Sequence, residues 1–112
     1  MKAAYARWIA VASELRSVHR FAYGSDGPLH RFESSPLQPT AEQAAKWLEE
    51  RCQVGRWYWW DKGTLAGRAE EPLRSIERMI GDGGLNEEDP QVQMLVARLS
   101  AVRGTIATAL KR

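Results

Sequence analysis

The chain has 112 residues, of which 44% are hydrophobic and 27% charged, with a formal net charge of +2. These values describe one globular domain with a modest core and exclude a disordered chain. The charge is too small to name a nucleic acid or a membrane as partner, and the single cysteine, Cys52, excludes an internal disulfide.

No uncharged apolar run approaches the roughly 18–20 residues a membrane helix needs, so no membrane partner is expected. Arg7 interrupts the first apolar stretch, which argues against a secretion signal. A reducing, cytoplasmic setting fits, and the preference for arginine over lysine leans towards a GC-rich bacterial genome.

The spacing predicts a first helix over residues 3–23. Trp8, Val11, Leu15, Val18 and Ala22 alternate in steps of three and four, and Tyr5, Ile9 and Ala12 widen the seam into a face. Ala6, Ala10, Ser13 and Ser17 form a second, small stripe. Gly24 stops the helix, and residues 24–39 form a long irregular loop holding Pro28, Pro36 and Pro39. Its apolar Leu29, Phe32 and Leu37 predict that it lies across the domain.

A second helix starts at Thr40, with Gln43 three residues later as a capping box, and ends near Gly55. Ala41, Ala45, Leu48 and Cys52 are its inner stripe. A third is expected over 69–80, with Pro72 in its first turn and Leu73, Ile76, Met79 and Ile80 facing inward. Asp89-Pro90 opens the last helix. Its seam is Val92, Leu95, Leu99, Val102, Ile106 and Ala109, beside a small stripe of Ala97, Ala101, Gly104 and Thr108. Gly104 costs about 1 kcal/mol in a helix interior, and close backbone packing is the expected compensation.

The fold class is therefore all-α: a single domain over residues 1–112, built as a compact bundle of four to five helices. The long N- and C-terminal helices pack together, and shorter helices lie across them. The last helix is basic and the segment before it acidic. Attraction between neighbouring surfaces explains that layout, and phosphate contact by Arg98, Arg103, Lys111 and Arg112 is the functional reading.

Few residues suggest chemistry. His19, His30 and Cys52 show no triad spacing, and no cluster has metal-ligand spacing. The segment Asp82–Asp89 lacks the alternating ligands of a calcium loop. No enzyme activity, metal or cofactor is expected.

The distinctive stretch is Arg56-Trp57-Tyr58-Trp59-Trp60-Asp61-Lys62-Gly63, which holds three of the five tryptophans. Four successive rings point around most of a helix or to both sides of a strand, so one core cannot take them all. They can act as a lid over the core, as a protein-binding anchor or as a base-stacking platform. The anchor reading assigns Trp57, Tyr58, Trp59 and Trp60 to a protein partner, with Arg56 and Lys62 at the rim. The terminal helix seams are also compatible with a homodimer.

Residues 40–65 carry a further pattern, Thr40, Ala44, Ala45, Leu48, Val54, Trp60, Gly63 and Leu65. It resembles the helix-turn-helix of excisionase and MerR-type DNA-binding domains. The resemblance implies a DNA-binding regulator, with Arg56, Tyr58, Trp59 and Lys62 on the recognition helix. This is the alternative to a small non-enzymatic binding protein acting as adaptor, inhibitor or regulator.

Overall fold

The computed structural model describes residues 2–30, 40–54 and 62–111, with side chains for 6–30, 40–51 and 63–111. Four helices account for most of them: α1 (Lys2–Tyr23), α2 (Ala41–Val54), α3 (Lys62–Asp82) and α4 (Pro90–Leu110). There is no strand among the described residues.

Helix α1 packs along both α2 and α4, and α3 closes the square against the same two neighbours. Only slight contact crosses the α1–α3 diagonal. Side-chain pairs set the directions. Arg16 and His19 of α1 reach Glu42 near the start of α2, and Arg98 of α4 reaches Ser17 and Phe21 near the end of α1. Helix α1 therefore runs antiparallel to both, the up-and-down order of a four-helix bundle.

The seams read from the sequence form the core. Trp8, Val11, Leu15, Val18 and Ala22 of α1 meet Leu48 of α2, Leu73 and Ile76 of α3, and Val92 to Ala109 of α4. No polar or charged residue is buried among the described residues. Many core positions are alanine, including Ala12, Ala44, Ala45 and Ala69, which lets backbones approach without a large side chain between them.

The ends of the elements follow their capping chemistry. Thr40 Oγ1 accepts from the Gln43 N–H at 3.1 Å, and Gln43 Oε1 accepts from the Thr40 N–H at 3.0 Å, so the capping box is reciprocal. Asp89 caps α4 by accepting from the Gln91 N–H at 2.9 Å, ahead of Pro90. After α1, the chain turns sharply, and the Leu29 N–H donates to the Ala22 carbonyl at 2.8 Å. That turn drives Leu29 fully into the core. It is the described part of the loop expected to cross the domain; Phe32 and Leu37 lie outside the described residues.

Ile9, expected to widen the buried face of α1, is exposed, because it lies on the outward side of the Trp8–Ala22 seam. Three further expectations, on α3 and α4, need correction. The third helix does not begin at 69: α3 starts at Lys62 and holds Pro72 in its interior. Leu65, Ala66 and Ala69 extend its buried stripe towards the N-terminus, so packing sustains the added turns despite the proline. Pro72 cannot donate to the Arg68 carbonyl, but Arg68 is at the surface. Second, α3 is no short crossing helix: it has 21 residues, as many as α4, and α2 alone is short at 14. Third, Gly104 has no close neighbour. A Cβ there would meet nothing within 4 Å. The inner face of α4 is already used by its apolar seam, which turns the small stripe to solvent.

No helix among the described residues is long and apolar enough to cross a membrane.

Candidate protein-binding surface

Helices α2 and α3 are joined by residues 55–61, so most of the aromatic stretch lies in their connection. Arg56, Trp57, Tyr58, Trp59 and Trp60 fall outside the described residues. Lys62 is the first residue of α3, its side chain also outside, and Gly63 is exposed in the first turn.

The described residues leading into this connection have a character of their own. Trp47 of α2 is half-buried against the core. The guanidinium groups of Arg51, one turn later, and of Arg68 on α3 each lie over its ring, 5.2 Å from the centroid. Such stacking is worth about 0.5–1 kcal/mol at exposed sites and holds a flat, cationic and aromatic surface in place. The i,i+4 interval from Trp47 to Arg51 was the available signal in the sequence, whereas Arg68 required the tertiary fold.

The basic residues assigned to phosphates are not brought together. Arg98 points to the α1 flank of α4, where it donates to Ser17 Oγ at 3.0 Å and lies 4.5 Å from the Phe21 ring centroid. Arg103 points to the α3 flank and forms a two-pronged ion pair with Glu77, one prong at 2.7 Å. These hydrogen bonds hold the Glu77 carboxyl below its ordinary range and raise the guanidinium. Lys111 is exposed beyond the end of α4, and Arg112 lies outside the described residues. Attraction between the acidic 69–90 segment and α4 thus has a physical counterpart in the Glu77–Arg103 pair.

A second polar seam lies between α1 and α2. Arg16 donates to both carboxylate oxygens of Glu49, at 2.6 and 3.3 Å, and sits 3.7 Å from Glu42. The hydrogen bonds from Arg16 hold Glu49 below the usual carboxylate range. His19 Nε2 lies 3.5 Å from Glu42, and its ring packs 5.0 Å from that of Tyr23. The Tyr23 hydroxyl donates to the Met79 sulfur at 3.3 Å, and burial pushes its phenol pKa up.

The two histidines have different settings. His19 belongs to the α1–α2 seam. His30 is exposed, with Nδ1 3.3 Å from the Tyr23 carbonyl oxygen. It lines an open cleft of about 580 Å³ between the 25–30 turn and the α3–α4 connection, with Asp26, Asn86 and Asp89. The side chain of Cys52 lies outside the described residues. Among the described residues, no group of three or more His, Cys, Asp or Glu could hold a metal ion.

In the helix-turn-helix pattern, Thr40 caps α2, and Ala44, Ala45 and Leu48 are buried beneath it. Helix α2 then continues unbroken through Val54, with no turn after Leu48, while Gly63 and Leu65 fall inside α3. No protein-family model, curated protein or solved structure matches the chain.

Proposed function

We propose that this chain is a small non-enzymatic binding protein, an adaptor, inhibitor or regulator, acting through a protein–protein surface centred on residues 56–63. The supporting observation is the Trp47–Arg51–Arg68 stack, which lies on the two helices that residues 55–61 connect. Tryptophan, tyrosine and arginine carry most of the energy in protein interfaces. They offer large contact area at small entropic cost, with polar tips for orientation. The stacked arginines supply part of that chemistry on α2 and α3, the helices that flank the four consecutive rings in sequence.

The test is recovery of a co-purifying protein with wild type and with Tyr58→Ala, Trp59→Ala and Arg68→Ala. The expected outcome is a complex weakened about 30-fold by at least one ring truncation, a typical hot-spot loss. Helix content and melting temperature should hold. If every ring truncation unfolds the domain, the stretch belongs to the core and the proposal fails.

The alternative, a DNA-binding regulator using residues 40–65, draws on the capped α2 and its buried Ala44, Ala45 and Leu48. It requires affinity that falls steeply with salt. A mixed duplex left unbound at about 50 mM salt would remove it.

A further inference from the structure

The outward face of α4 is unlike the rest of the bundle. From Gln91 to Leu110 the helix has no acid, and its two charged residues, Arg98 and Arg103, are tied to α1 and α3 on its flanks. Between them Gln93, Ala97, Ser100, Ala101, Gly104 and Thr108 are exposed. Met94 and Val96 remain 49% exposed. The Thr105 and Thr108 hydroxyls donate to the carbonyls of Ala101 and Gly104, which uses up their polarity within the helix.

The charges lie at the two ends of this face, and they have opposite sign. Glu87, Glu88 and Asp89 are exposed just before α4, and Lys111 is exposed just after it, followed by Arg112. The midpoint between Asp89 and Lys111 falls at Ser100, in the middle of the uncharged face.

We infer that this face pairs with the same face of a second copy, antiparallel, about a two-fold axis near Ser100. In that register the acidic end of each helix lies beside the basic end of the other, twice over. The helix dipoles also oppose one another favourably. A parallel pair would set like charges side by side. Gly104 of one copy faces Val96 and Ala97 of the second copy, and Gln93 faces the Ala107–Thr108 turn. The open space around Gly104 is where the opposing backbone approaches.

The size is adequate. A helix of 21 residues is about 31 Å long. The exposed Ala10 and Ser13 of neighbouring α1 widen the face to two helices, about 20 Å, across a groove where Glu14 and Arg98 bring the only charges among the described residues. The projected footprint of about 600 Å² is of the order of the roughly 800 Å² per partner in stable complexes. Burial of the small apolar face supplies the affinity. The terminal charges set the register, since exposed pairs contribute little energy.

Sedimentation equilibrium on the whole chain, from about 10 μM to 1 mM at low salt, tests this, with the 12.7 kDa monomer as reference. Wild type should approach twice that mass. Gly104→Trp should raise the dissociation constant about tenfold or more, because the monomer has room for the ring and the dimer has none. Lys111→Glu should weaken the dimer at low salt, and adding Glu88→Lys should restore it, which only the antiparallel register allows. Trp59→Ala should leave the dimer intact, which separates this surface from the aromatic one. If circular dichroism shows that Gly104→Trp loses helix, Ala97→Glu replaces it. A wild type that stays monomeric throughout, or a dimer indifferent to these face variants, overturns the inference.

Discussion

Gly67 and Gly104 are exposed residues in helix interiors, and a Cβ at either would meet nothing within 4 Å. The helix therefore bears their extra chain entropy without compensation from a close neighbour in the monomer. Replacing either with alanine should stabilise the monomer by about 0.5–1 kcal/mol and raise its melting temperature by a few degrees, measured at low micromolar concentration. Gly27 is the contrasting case. A Cβ there would collide with the Phe21 and Ala22 carbonyls, so the turn that seats Leu29 depends on glycine. The position of Gly104 was in fact legible. Once Val92, Leu95, Leu99, Val102, Ile106 and Ala109 claim the inner face, a stripe through Ala97 and Gly104 has to point away from it. A small-residue stripe looks the same in sequence whether it meets a neighbouring helix or solvent, and only its phase against the core distinguishes the two.

Among elements, α1, α2 and α4 were readable because each combines an apolar period with an end signal: Gly24, the Thr40–Gln43 box and Asp89-Pro90. Helix α3 was read too short because Pro72 resembles a first-turn proline. Its buried Leu65, Ala66 and Ala69 show that tertiary packing outweighed the missing hydrogen bond. The ion pairs between elements were not legible, since Arg16–Glu49 and Glu77–Arg103 link residues distant in sequence. They have a pH signature. Both carboxyls are held below the ordinary value of 4.5 by hydrogen bonds from their arginines. A depressed folded-state pKa gives stability that is present above the unfolded value and lost as pH falls through the folded one. The melting temperature should therefore decline as pH drops below about 4.5, beyond any general acid effect. A Glu49→Gln, Glu77→Gln variant should start lower at neutral pH and decline less. Parallel curves for the two proteins would show that these pairs do not contribute.

At the scale of the molecule, the helices form a closed ring of neighbours, α1–α2–α3–α4 and back to α1. Three sides of that ring have a chain connection, and the α4–α1 side has none. The antiparallel alignment of Arg98 with Phe21 and Ser17, carried along the helices, brings the last turn of α4 beside the first turn of α1. The order of the helices along the chain is thus separable from their arrangement in space. A circular permutant that joins the end of α4 to the start of α1 through a short Gly/Ser linker, and opens at the exposed Gly83-Gly84 pair ahead of the partly buried Leu85, keeps every helix beside its present neighbours. It should fold with unchanged helix content and melt within about 5 °C of the parent. It would also reorder folding: the extensive α1–α4 pairing becomes local while the smaller α3–α4 pairing becomes the most distant, so the mean sequence separation of contacts falls and refolding should accelerate.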